Sequence, residues 1–164
     1  MSVFPSFSAE ASQVCYAMSM VAALPAHSGD PALPAEVSNA CLESFFTNLR
    51  LLIEFAARKR DPRDIHRHDF LPGWDPTPGD KLDRLDEDWQ FASANVVHLS
   101  KARVPGPGFV LQNYHPVVLA SMADRVLDVM EAFVDALESA KGGTAVQFRS
   151  GLDGARAVLG KVFP

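Results

Sequence analysis

Residues 35–59, AEVSNACLESFFTNLRLLIEFAARK, decide the fold. Val37, Cys41, Phe45, Leu49, Leu52 and Ala56 recur at helical spacing, and Phe46 and Ile53 widen the stripe. Glu36, Asn39, Glu43, Thr47, Arg50, Glu54 and Arg58 recur at the same spacing on the other side. A helix turns about 100° per residue, so two opposed stripes describe a helix that buries one face and wets the other. Arg50, Glu54 and Arg58 also stand at i,i+4, where each ion pair adds about 0.2–0.5 kcal/mol.

The same periodicity extends outward from this segment. Over 8–24, Ser8 is a candidate N-cap, Glu10 follows it, and Val14, Met18 and Val21 repeat. Pro25, Gly29, Pro31 and Pro34 make 25–34 a loop. A third helix is expected from Asp80 to about Ala102, with Leu82, Leu85, Trp89, Ala92, Val96 and Leu99 inward. Its acidic start (Asp80, Asp83, Asp86, Glu87, Asp88) and basic end (Lys101, Arg103) suit the helix dipole. The segment RVPGPG stops it. A fourth helix opens with Pro116 at the first position and runs to Lys141, before Gly142-Gly143. Its inner face carries Leu119, Met122, Val126, Met130, Phe133 and Leu137, and Asp124, Asp128, Glu131, Asp135 and Glu138 cover the outside. A further short helix over 151–162 is weakened by Gly151, Gly154 and Gly160. The expectation is one all-α domain, 1–164: a four-helix up-down bundle with a long loop between helices 2 and 3.

With 48% hydrophobic and 21% charged residues, the chain has the composition of a globular domain rather than a disordered one. No apolar run is long enough for a membrane-spanning helix, so no membrane partner is expected. Residues 11–25 resemble the apolar part of a secretory signal, but no Lys or Arg precedes Arg50, so a cytoplasmic location is expected. Cys15 and Cys41 lie in apolar helical stretches without metal-ligand spacing and read as buried thiols. A net charge of −5 argues against a broad nucleic-acid surface but leaves room for a local one.

Local chemistry concentrates in loop 60–79, RDPRDIHRHDFLPGWDPTPG, where Pro62, Pro72, Pro76 and Pro78 exclude a helix. Arg58, Lys59, Arg60, Arg63 and Arg67 cluster there, close to Phe70 and Trp74, as phosphate or RNA binding with base stacking would require. The plainer reading is a solvated charged loop at a helix C-terminus. Asp64, His66, His68 and Asp69 could offer imidazoles and carboxylates to a metal, but the neighbouring cations disfavour a dication, and no metal or other cofactor is expected. On the third helix His98 lies off the core stripe, on a second stripe with Phe91, Asn95 and Ala102. Asn95 could fix the tautomer of an imidazole working near neutral pH as an acid or base.

Two segments carry a resemblance. Glu43-Ser44-Phe45-Phe46 followed by Asn48-Leu49-Arg50-Leu51-Leu52-Ile53-Glu54-Phe55, and later Asn95-Val96-Val97-His98-Leu99-Ser100-Lys101-Ala102-Arg103, resemble HEPN-like domains. These are small helical bundles that often dimerise, and many act as RNA-cleaving toxins or defence proteins. The resemblance spans about residues 43–103. It implies His98 as the catalytic histidine, Asn95 as its polar neighbour, and a metal-independent endoribonuclease. The arginine of the family motif is missing, since Phe91, Ala92 and Ser93 occupy its positions. A non-cleaving relative that binds RNA, a nucleotide or another protein is therefore an equal expectation.

The resulting expectations are specific. RNA or phosphate would contact Arg58, Lys59, Arg60, Arg63, Arg67 and Arg103. A homodimer would pair Phe91, Asn95, His98 and Ala102 across a two-fold axis. An antidote-like protein would be a partner. The alternative class is a non-enzymatic interaction module that binds a protein through loop 60–79.

Overall fold

The computed structural model describes residues 8–59, 61–94 and 115–163. Five helices and no strand occur among them: α1 (Ala9–Ala23), α2 (Ala35–Ala57), α3 (Asp80–Ala92), α4 (Pro116–Ser139) and α5 (Ala145–Val162). Ser8 caps α1 as its sequence position predicts, with Oγ accepting from the Ala11 amide at 3.1 Å. Pro116 stands at the first turn of α4, where the His115 ring Nδ1 accepts from the Val117 amide at 3.3 Å. At the other end of α4 the left-handed residue is Lys141 (φ 55°), not a glycine. Its amide bonds Glu138 O at 2.9 Å, and the Gly142 amide bonds Leu137 O at 2.9 Å, so the last carbonyls are satisfied by a Schellman turn.

The core is continuous. Phe45, Phe46, Leu49, Leu52, Ile53 and Ala56 of α2 are buried, as are all the inward residues expected on α4. The α2 stripe begins later than its sequence suggests: Val37 is 45% exposed and Cys41 half-buried, because the first turns stand off the core. Leu85 and Ala92 of α3 are buried and Leu82 and Trp89 half-buried, whereas Val96 and Leu99 lie outside the described residues.

The C-terminal segment corrects the expectation of a short accessory helix. α5 starts at Ala145, not near 151, and buries Ala145, Phe148, Leu152, Ala155 and Leu159 against α1 and α4. The acidic stripe of α4, expected to face water alone, receives this helix. Arg149 bonds Glu138 and Asp135, and Arg156 reaches Asp124, Asp128 and Glu131. Rising numbers on α5 meet falling numbers on α4, so the two run antiparallel. The same logic sets α3 antiparallel to α4 (Asp88–Arg125, Lys81–Asp128) and to α2 (Phe46–Phe91, Arg58–Asp86). The exposed ion pairs among these, such as Lys81–Asp128, add little stability but fix register.

Gly151 explains how α5 comes so close to α1. A Cβ at that position would sit 2.6 Å from Cys15 Sγ and 2.9 Å from Cys15 Cβ, whereas Gly154 has nothing within 4 Å. Gln147 ties the start of the contact, donating to Ser8 O at 3.1 Å and accepting from the Ser8 amide at 3.0 Å. The glycines that weaken α5 by propensity therefore differ in role. Gly154→Ala should stabilise the protein by about 0.5–1 kcal/mol. Gly151→Val should destabilise it by about 1–3 kcal/mol, because Cys15 is too short to swing away. Urea denaturation of both variants checks this, and equal behaviour would refute the close approach.

Candidate binding cleft

Loop residues 61–79 are tied down by their own polar groups. The Arg67 side chain is buried and points inward: Nη1 donates to Arg58 O at 2.8 Å, Nε donates to Trp74 O at 3.2 Å, and the guanidinium pairs with Asp75. That pairing holds the Asp75 carboxyl below its usual range. His66 is 3% exposed. Its Nδ1 accepts from the His68 amide at 3.2 Å, its Nε2 lies 3.1 Å from Arg58 O, and its own amide donates to Asp69 Oδ2 at 2.9 Å. With Nδ1 accepting, we assign the proton of a neutral ring to Nε2, which donates to the Arg58 carbonyl although Arg67 Nη1 also lies 2.8 Å from it. Burial pushes the His66 pKa down, the Arg58 carbonyl pulls it back up, and Arg67 lowers it further. His68 Nε2 lies 2.8 Å from Trp74 O. Both ring nitrogens of His66 are thus committed, Nδ1 within the loop and Nε2 to the end of α2, and among the described residues no His/Cys/Asp/Glu group is arranged to hold a metal.

Aromatic side chains fasten the same loop to the core. Phe70 packs on Phe55 and Phe148 with centroids 6.0 and 5.0 Å apart, and Trp74 meets Phe133 edge-on at 5.3 Å. Phe70 and Trp74 are therefore packing residues rather than open stacking platforms for bases.

Between α1, α2 and the loop lies an open cleft of about 690 Å³. Gln13, Tyr16 and Ala17 line it from α1, Asn48, Leu51 and Phe55 from α2, and Asp61, Ile65 and His66 close its end. Tyr16 and Leu51 are 56% and 53% exposed. Three of the cations on its walls, Arg50, Arg58 and Arg63, are engaged locally. Arg50 Nε bonds Glu54 Oε1 at 2.8 Å, and that carboxylate also accepts from Trp89 Nε1 at 3.0 Å. Arg58 stacks on Trp89, 3.7 Å from the ring centroid, and pairs with Asp86. Arg63 pairs with Asp61 at 2.8 Å, which holds the Asp61 carboxyl far below its usual range.

The candidate residues named from the sequence are only partly brought together. Arg58, Lys59 and Arg63 lie on the cleft, while Arg67 is an internal anchor with its donors turned away from solvent. Arg60, Asn95, His98, Ala102 and Arg103 lie outside the described residues. Phe91 is half-buried and packs on Phe46 at 5.5 Å, so its apolar character already has a use within the fold. Tyr16 and Leu51 went unnoticed, although Leu51 stands out as an apolar residue set among Thr47, Arg50 and Glu54 on the polar side of α2. Fold and cleft together define an all-α helical protein with a side groove, and no helix among the described residues is long and apolar enough to cross a membrane. No family model, curated protein or solved structure matches the chain.

Proposed function

We propose that this protein is a non-enzymatic helical interaction module that holds a segment of a partner protein in the cleft between α1, α2 and loop 61–66. In this reading α1–α4 form the up-down four-helix unit, α5 packs on α1 and α4, and α1 and α2 supply the two long walls of the groove. One observation carries it: Tyr16 and Leu51, both more than half exposed, line the same groove from different helices. A rigid aromatic beside an aliphatic side chain is the usual anchor for an apolar residue of a peptide. The groove volume falls in the range of about 300–1,000 Å³ typical of binding sites. The cationic walls favour a peptide over a polyanion, because Arg50, Arg58 and Arg63 already face Glu54, Asp86 and Asp61.

The test is selection from a random-peptide display library on the purified protein, followed by titration of synthesised winners. Peptides with an apolar anchor should bind the wild type and lose at least about tenfold in affinity with Leu51→Glu or Tyr16→Glu. Both residues are exposed, so the variants should melt like the wild type. Salt-sensitive binding of single-stranded RNA, indifferent to Leu51→Glu and without peptide binding, would refute the reading.

A second reading is favoured by the Asn95-x-x-His98-Leu99-Ser100 pattern: an RNA- or nucleotide-directed HEPN-like protein, degenerate as a ribonuclease, dimerising through the Phe91–His98 stripe and held by an antidote-like protein. It requires RNA binding or cleavage that His98→Ala abolishes.

A further inference from the structure

We propose that His66 is an acid-operated latch whose protonation releases the loop from the end of α2 and so remodels the cleft. The latch itself stands on the geometry around the imidazole; its effect on ligand binding rests on the cleft being the working site. Neutral His66 uses its Nε2 hydrogen on Arg58 O and its Nδ1 lone pair on the His68 amide, 3.1 and 3.2 Å away. A second proton can go only on Nδ1. There it would face the N–H of His68, turning a hydrogen bond into a contact between two donors.

The new charge would have no good partner. Arg67 Nη1 lies 2.8 Å from His66 Nε2, where both converge on the Arg58 carbonyl, and the His68 ring centroid is 4.7 Å away. Asp69, whose carboxylate favours the charged ring, already accepts the backbone amide of His66 and is also felt by Glu10 of α1. Asp75 stands beyond Arg67 and is paired with it. On the cleft side, Arg63 pairs with Asp61, Arg50 with Glu54 and Arg58 with Asp86, and Lys59, Asp64 and Tyr16 make up the rest of the ionisable lining. A buried cation between two donors costs more than the loop's few hydrogen bonds return.

Burial and Arg67 lower the proton affinity of the ring, so the folded pKa lies below the unfolded value of 6.5. The stabilisation is complete above pH 6.5 and is lost as pH falls through the folded pKa. Arg58 O then loses its His66 donor, and Ile65 and His66, which close the cleft, are freed to move.

Amide hydrogen exchange of the full chain, corrected for intrinsic rates, reads the latch without any ligand. Between about pH 7 and pH 5, where imidazoles titrate, His68 amide protection in the wild type should fall about tenfold relative to Val126 in the core. In His66→Gln, which keeps a neutral donor, protection should not change with pH, whereas His68→Asn should keep the wild-type response at the amide of residue 68. Wild-type protection that is flat with pH, or an acid response that survives in His66→Gln, overturns the latch. A peptide selected at neutral pH should dissociate in acid from the wild type and not from His66→Gln. If no peptide binds at any pH while His68 still loses protection, the cleft reading fails and the latch stands.

Discussion

Phe133→Ala should destabilise the protein by about 3–5 kcal/mol, the usual cost of emptying a buried aromatic site. Phe133 is fully buried on α4, and its ring meets Phe55, Trp74 and Phe148 edge-on with centroids 5.3, 5.3 and 5.4 Å apart. These neighbours come from α2, the loop and α5, so one substitution opens a hole where three chain segments converge. Phe55 and Phe148 cannot simply collapse into it, because both rings are also held by Phe70. For a domain of this length the melting point should fall by roughly 10 °C. Trp74 emission should shift to the red as its edge contact is lost. Thermal denaturation followed by circular dichroism and tryptophan fluorescence checks both, and a drop under about 1 kcal/mol would show that the aromatic cluster is not the centre of the core.

How much of this arrangement could be read from the residues depended on whether a signal was local. The stripes of α2 and α4 are set by spacing alone, and their inner residues are buried as expected apart from the first turns of α2. The Ser8 cap and the Pro116 start are likewise local chemistry. α5 was obscured because glycine lowers helix propensity wherever it stands, while the benefit of Gly151 lies in a contact with Cys15 far away in sequence. The acidic stripe of α4 was read as solvated because only the fold brings Arg149 and Arg156 to it. In the cleft, Arg58 and Arg63 belong to a visible basic run, but that run does not reveal which cations are already paired. Leu51 was legible in principle, as a break in a polar stripe. Tyr16 was not, since α1 has a weak contrast between its faces and small residues on its buried side.

Arg67→Ala should cost about 3 kcal/mol and should act on the loop before the core. Arg67 looks, in sequence, like one more member of a charged run, yet it is 6% exposed and is the hub of the loop. Its guanidinium serves Arg58 O, Trp74 O and Asp75 together. Charge-assisted hydrogen bonds contribute about 1.5–3 kcal/mol each, and carbonyls left without a donor add about 1–3 kcal/mol. Two effects moderate the sum: Asp75 is 64% exposed and regains water, and a loosened loop lets solvent reach Trp74 O. Arg67→Lys should recover only part of the loss, because an ammonium has no planar fork to reach two carbonyls and a carboxylate at once. Arg63→Ala, which removes an exposed pair confined to the loop, should leave the melting curve unchanged within error. Limited proteolysis gives the local readout: cleavage within residues 61–79 should speed up in Arg67→Ala at temperatures where the helical signal is still intact. If Arg67→Ala melts like the wild type and resists protease equally, Arg67 is not the anchor, and the end wall of the cleft is held by His66, Phe70 and Trp74 instead.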